Sequence, residues 1–504
     1  MKIKLFTLLP VTLLAVSISV TRLRAQYAAP SAGPFVGFAN EALREHSPPM
    51  TNLDLGGSIR LRYEVKEGFG IPGVAGSMDF RAHGADVSND YLLSRIRFHA
   101  GISQSWWSAY VEGRSSLAAS DERFAYPNAP LVAGTSRRKG DGPESDALNL
   151  HQAYLYLGNP SFPVSLKVGR QELNYGDERL VSVNPWNNIG RTFDAVKARW
   201  QSPWISVDAF TGRIVIPEDG RFDVDNDYEW FSGLYASTTE VPRHLVEGYF
   251  YARNASSQAI AAEPSPQETP LPSARDIYTV GFRLKSKPRE LGPWDYSLQA
   301  AGQWGDFRDI RRGANSPRLD HRAWMAIIQG GYTFTNLWST PRLGLEYSYA
   351  SGDSNPNDNK HETFDTLFPT YHAYYGYMNF FSLQNIHDVR AILQCKPHPR
   401  VSLALEGHGF WLADTHDSFY SANGTPRGGL GTTPSTGYGI NPSYGNFVGT
   451  ELDAIAGWAV TRFAQLEVGY GHFFTGDYIR QSLSSPAFGN KDANWCYLQL
   501  NVYF

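Results

Sequence analysis

The feature that most constrains this chain of 504 residues is an alternation at two scales. Within segments, apolar and polar residues alternate one by one; between segments, short and long connections alternate. The last thirteen residues, DANWCYLQLNVYF, place Asn494, Cys496, Leu498, Leu500, Val502 and Phe504 on one face and Ala493, Trp495, Tyr497, Gln499, Asn501 and Tyr503 on the other. Period two is the mark of a strand between two environments. The pattern recurs about eighteen times, each run near the length a tilted strand needs to cross a bilayer. The strands are expected near 53–66, 90–103, 106–115, 149–158, 164–172, 193–201, 204–213, 228–239 and 244–254. In the second half they are expected near 276–286, 294–306, 321–334, 341–352, 386–397, 400–413, 449–460, 463–476 and 492–504.

The short connections include 159–163, 202–203, 242–243, 286–293, 335–340, 397–399 and 461–462; the long ones include 116–149, 255–275, 353–385 and 415–448. A transmembrane β-barrel sorts its loops this way, with tight periplasmic turns at one rim and long external loops at the other. A soluble β-sandwich has no reason to sort them by parity. The expected fold is therefore all-β, an antiparallel barrel over 53–504 closed so that no strand edge meets lipid. An even strand number puts both termini at the periplasmic rim. Lys2 and Lys4 followed by an apolar run to Val20 predict a secretory signal peptide over 1–25. Residues 26–52 then form a periplasmic arm, with a short helix over 39–46.

Composition agrees. Aromatic residues make up 14% of the chain, suited to pleated surfaces and membrane interfaces. Two cysteines cannot staple such a fold, and a net charge of -4 gives no footprint for nucleic acid.

Side-chain phase assigns the lumen. In the first strand Leu55, Ile59, Leu61, Tyr63 and Val65 share one face, and Asp54, Arg60, Arg62, Glu64 and Lys66 share the other. An Arg or Lys at the bilayer midplane costs roughly 2 to 4 kcal/mol, so the charged face must point inward. The same test places Arg95, Arg97, Arg114, Lys167, Lys197, Arg199, Arg283 and Lys285 in the lumen, with Arg342, Glu346, Asp388, Arg390, Glu406, Glu451, Asp453 and Glu467. Cations dominate the first half and carboxylates the last strands, so opposite walls are expected to carry opposite sign. These groups either wet a pore and pair across strands or build an electropositive constriction, where the guanidinium fork can hold a carboxylate by two hydrogen bonds.

Catalytic and metal patterns are weak. There is no G-x-S-x-G, H-E-x-x-H or P-loop, and Asp177 beside Glu178 is a poor acid/base pair because neighbours point apart. No cofactor motif is present. Asp353, Asn355 and Asn357 have the spacing of a calcium loop, but Asp358 and Phe364 replace the required Gly and Glu. Solvated Asx turns explain that stretch better.

Three blocks resemble the alginate export family of outer-membrane porins: GRQELNYGDERLVSVNPWNNIGRTFDAVKARW (169–200), SGDSNPNDNKHETFDTLFPTYHAYYGYMNFF (351–381) with NIHDVR (385–390), and GYGHFFTGDYI (469–479). The resemblance implies an anion-selective, arginine-lined barrel of eighteen strands that passes an anionic polysaccharide or oligouronate, with the lipid bilayer and periplasmic export proteins as partners. A diffusion porin with a transverse field is the alternative, and an outer-membrane hydrolase comes third. Within the first block, Arg170, Asp177, Glu178, Arg179, Arg191 and Asp194 form a charged loop motif, expected to shape a loop from Asn174 to Thr192 at the external rim.

Overall fold

A computed structural model of the chain describes residues 35–46, 52–71, 78–123, 144–159, 161–217, 222–256, 274–309, 312, 316–428 and 437–504. The expected signal peptide over 1–25 lies outside the described residues, as does part of the arm. The wall of the barrel is built from β1 (Leu53–Glu67), β2 (Ser88–Ser103), β3 (Trp107–Ala119), β4 (Asp146–Leu157), β5 (Val164–Gln171) and β6 (Phe193–Gln201). It continues with β7 (Ser206–Ile216), β9 (Glu229–Thr238), β10 (His244–Ala255), β11 (Arg275–Ser286), β12 (Trp294–Phe307) and β13 (Leu319–Thr333). It is completed by β14 (Arg342–Ala350), β16 (Ile386–His398), β17 (Val401–Leu412), β18 (Phe447–Ala459), β19 (Ala464–Thr475) and β20 (Ala493–Tyr503). Two two-residue strands, β8 (Val224–Asp225) and β15 (Lys360–His361), belong to the connections. The wall thus has eighteen strands, one for each expected from alternation.

Every neighbour in the wall is antiparallel, and β1 closes on β20 from Ser58↔Tyr503 to Glu67↔Asn494. The connections sort by rim. Those on the side of the termini run from two residues (399–400) to eight (334–341); those on the other side run from eleven (308–318) to thirty-five (351–385).

The alternation of β1 is realised as a division between lumen and outer surface. Arg60, Arg62 and Glu64 are 4%, 0% and 1% exposed, whereas Leu61, Tyr63 and Val65 are 40%, 43% and 38% exposed. The outer face carries apolar side chains throughout, with Trp204, Trp294 and Trp338 towards the short-turn rim and Trp230, Trp304 and Trp324 towards the other. These are two aromatic girdles around a lipid-facing band. α1 (Phe38–His46) follows Phe35, whose ring packs between His99 and Tyr503 at the short-turn mouth.

The core is unusual for a channel because much of it fills the lumen. Residues 172–192 and 351–385, which connect neighbouring strands at the long-loop rim, fold inward and pack on each other. The Phe368 amide donates to Leu180 O (2.9 Å), Ser182 N to Phe368 O (2.8 Å) and Thr370 N to Glu178 O (2.9 Å). The expectation that 174–192 sits at the external rim is therefore wrong. Polar composition signals contact with water, and the lumen offers water as the exterior does.

Candidate functional site

An irregular segment inside a barrel has backbone carbonyls that no ladder satisfies. Here arginines of the first wall supply the donors. Arg60 donates to Pro185 O (2.8 Å) and Asn187 O (3.0 Å), and Arg62 donates to Trp186 O (2.7 Å). Arg95 reaches Asn187 O (3.3 Å), Arg114 reaches Ile189 O (3.1 Å), and Ser116 Oγ donates to Asn188 O (2.7 Å). Successive carbonyls are thus laid along β1 to β3. The Arg62 guanidinium also stacks on the Trp186 ring, 3.7 Å from its centroid.

The other end of the same segment crosses to the far side. Tyr175 OH donates to Asp208 Oδ2 on β7 (3.2 Å), and Asp177 lies 3.8 Å from Arg283 on β11. Arg179 donates to Asp177 (3.1 Å), to Glu346 on β14 (2.6 Å) and to the Tyr375 hydroxyl (3.4 Å). The chain of charge extends further: Glu247 binds Arg283, Glu346 lies 3.9 Å from Arg390, and Arg390 Nε donates to Glu406 (2.8 Å). One connected ion-pair network therefore spans the lumen from β10 to β17. Burial raises the Asp177 carboxyl, but Arg283 and Arg179 overcome it and hold the group below the usual carboxylate range.

Several expected site residues are placed differently from the sequence reading. Arg170 and Asp194, at the ends of the expected strands, are register partners on β5 and β6, joined by two hydrogen bonds of 2.8 and 2.9 Å on the outward phase. Glu178 turns away from Asp177, accepting from Asn174 (2.9 Å) and Ser182 (2.9 Å). Arg191 ties the two inward segments together, donating to Ser182 O (2.9 Å), Phe368 O and Pro369 O (3.2 Å). The simple contrast of one cationic and one acidic wall also fails. Glu64 lies beside Arg62 (2.7 Å), Glu172 lies 3.2 Å from Arg97, and Arg342 forks onto Asp295 (2.8 and 2.6 Å).

On the acidic wall, Asp388 is held by His408 (2.9 Å), and Glu451 accepts from the Met378 amide (2.8 Å). That approach needs glycine at 376: its φ is +84°, and a Cβ there would lie 2.5 Å from the Glu451 carboxylate. The acids of β18 are thus covered by the inward segment and do not face lumen water. Asp353, Asn355 and Asn357 form consecutive Asx turns: Asn355 N donates to Asp353 Oδ1 (3.1 Å), and Asn357 N donates to Asn355 Oδ1 (3.2 Å). Burial, with Asp417 and Glu362 nearby, pushes the Asp353 carboxyl up to about 7.

Glu172, 27% exposed beside Arg97, and half-buried Glu467, which accepts from the Tyr497 hydroxyl (2.7 Å), remain open to the lumen together with several cations. Arg97, Lys197 and Arg199 are about one-fifth exposed, at 18%, 21% and 20%. Arg95, Lys167 and Lys285 are half-buried and, among the described residues, have no carboxylate within 4.0 Å. The Lys167 ammonium rests 3.6 Å from the Tyr154 ring centroid, a contact that leaves its charge uncompensated. Arg199 is neutralised by two bonds to Asp208 (2.5 and 2.8 Å). Phase alone missed Arg253 and Arg275, which hold the inward segment through Asp365 (3.1 and 2.8 Å). Their signal was present, since both continue the odd, inward series of β10 and β11.

The chain matches the alginate export family over residues 51–487. No curated protein matches it. Among solved structures it is similar to Pseudomonas aeruginosa OpdK, crystallised with vanillate, at a TM-score of 0.53 and 10% identity, covering 90% of this chain and 98% of that one. Acinetobacter baumannii OccAB4 gives 0.52 at 12% identity, covering 89% and 98%. Identities this low speak for the fold alone, an outer-membrane barrel. A closed barrel of this kind, matched to one family along most of its length, is a channel and not an enzyme: the chain belongs to the alginate export family and resides in the bacterial outer membrane.

Proposed function

We propose that the channel passes an anionic polysaccharide or related uronate along the cationic face of Arg95, Lys167, Lys197 and Lys285. One observation carries the reading: Arg95, Lys167 and Lys285 are half-buried lumen cations with no carboxylate within 4.0 Å among the described residues, while Glu346, Glu406 and Glu451 are paired or covered. Uronate carboxylates exchange between such point charges without being trapped, because conduction needs sites strong enough to enter and weak enough to leave. The alternative, a diffusion porin with a transverse field, needs bare acids facing bare cations. Arg179, Arg390 and the Met378 amide already occupy Glu346, Glu406 and Glu451.

The purified protein in a planar bilayer under a salt gradient is expected to give reversal potentials of anion preference and to be blocked by added polyuronate. Cation preference without block would overturn the reading.

A further inference from the structure

The arm at the short-turn rim carries a helix whose polarity is reversed. Asn40, Glu41 and Arg44 share one face of α1, and Phe38, Ala39, Ala42 and Leu43 share the other. The polar face is the one turned to the barrel. Asn40 Nδ2 donates to Asp54 Oδ1 (2.8 Å), its Oδ1 accepts from the Leu55 amide (3.2 Å), and Arg44 donates to Leu53 O (2.6 Å). Glu41 pairs with Arg462 (2.6 Å) in the turn before β19. The apolar face points away from the protein: Phe38 and Leu43 are 51% and 41% exposed, and Val36, just ahead of the helix, is 56% exposed. A helix packed on a soluble protein shows the opposite arrangement. A patch of this kind marks contact with something apolar.

The position of the helix says what that is. Phe35 stands on the lumen side of the rim, against His99 and Tyr503. By Phe38 the chain has crossed to the outer side, where the Phe38 ring packs against Phe463 and Phe504, with centroids 6.2 and 6.3 Å away. Phe504 ends the face of β20 that carries Cys496 and Leu498, both exposed on the lipid-facing band. The apolar face of α1 therefore prolongs that band beyond the end of the wall, at the rim marked by Trp204, Trp294 and Trp338. We infer that α1 is an interfacial helix, lying in the headgroup region of the phospholipid leaflet at the short-turn rim with Val36, Phe38 and Leu43 dipped into the acyl boundary. A free interfacial helix finds its rotation by partitioning; here the bonds of Asn40 and Arg44 to β1 fix it in advance. The arm is thus held between two surfaces, the barrel and the bilayer.

The test is spin-label accessibility in the full chain reconstituted into vesicles of phosphatidylethanolamine and phosphatidylglycerol. Val36→Cys and Leu43→Cys each carry a nitroxide, in a background where Cys395→Ala and Cys496→Ala remove the two native thiols. Power saturation reads collisions with oxygen, which concentrates in lipid, and with a nickel chelate, which stays in water and is supplied on both sides. Leu498→Cys on the lipid face and Glu290→Cys, exposed in the turn 287–293, give the two references. Heat-modifiable electrophoretic mobility establishes that each labelled protein is folded. The oxygen-to-nickel ratio at 36 and 43 is expected to stand several-fold above that at 290 and close to that at 498. A ratio at both positions as low as at 290 would overturn the inference, since the face would then stand in water. Exclusion of both reagents at both positions would overturn it as well, because protein, either a second copy or the chain ahead of residue 35, would be the cover.

Discussion

The two halves of the lumen carry similar numbers of arginines used in opposite ways. On β1 to β3 the guanidiniums of Arg60, Arg62, Arg95 and Arg114 donate to backbone carbonyls of residues 185–189. On the far side Arg179 and Arg390 donate to the carboxylates of Glu346 and Glu406. A carbonyl satisfies donors without cancelling charge, whereas a carboxylate does both. Electropositive character therefore survives at Arg60 and Arg95, whereas Arg62 and Arg114 are also paired, with Glu64 (2.7 Å) and Asp146, as the far-side arginines are with their acids. Counting arginines says little about a pore until the acceptor of each is known.

The largest expected effect comes from breaking the second half. Arg179→Ala leaves buried Glu346 with Arg390, 3.9 Å away, as its only charged partner among the described residues, a loss approaching the roughly 3 to 5 kcal/mol of a broken buried pair. Release of the segment from β14 should raise single-channel conductance several-fold; conductance equal to wild type would show that the ion-pair bridge does not hold the segment in place. In the first half, Arg60→Ala removes the donor to Pro185 O and Asn188 Oδ1 and leaves Asn187 O to Arg95 alone, and should lower stability by about 2 kcal/mol. Urea titration of heat-modifiable mobility reads this, and an unmoved midpoint would mean that water replaces the guanidinium.

Smaller effects sharpen the contrast in charge. The double substitution Lys167→Gln, Lys285→Gln should reduce the anion-to-cation permeability ratio roughly twofold or more. Asp453→Asn, under the covered acidic wall, should leave the ratio where it was; equal shifts from both would erase the difference between the halves. The smallest effect is a pH dependence at the long-loop rim. The folded Asp353 carboxyl titrates near 7, above its ordinary value of 3.8, so folded residues 353–364 bind more protons than unfolded ones between those limits. Local stability is therefore full below pH 3.8 and is lost as pH rises towards 7. Hydrogen exchange at the Phe364 amide, bonded to Ser351 O, should slow from pH 8 to pH 5 after correction for intrinsic rates.

Strands and lumen phase were legible because lipid enforces them: a misplaced charge on β1 would face hydrocarbon, so Arg60, Arg62 and Glu64 had one side available. The path of 172–192 was not legible. Its anchors lie far away in sequence, Arg60 and Pro185 being 125 positions apart, and what they hold are carbonyls, which every residue has. Trp186, whose ring stacks on Arg62, and the buried Leu173, Leu180, Val181 and Ile189 were the side chains that betrayed an interior position, since apolar groups have little reason to stand in external solvent. The covering of Glu451 depends on Gly376, a close approach that alternation does not encode.

The arm at the short-turn mouth bears on the order of events. Gly37 lies so close to the last residue that a Cβ there would stand 2.2 Å from Phe504 O, and Phe38 packs against Phe463 and Phe504. Glu41 reaches Arg462 (2.6 Å), in the turn before β19. The seat of the arm is made from the other end of the chain. The arm can thus find its place only after β19 and β20 are in position, and a seated arm reports that the seam between β1 and β20 has closed.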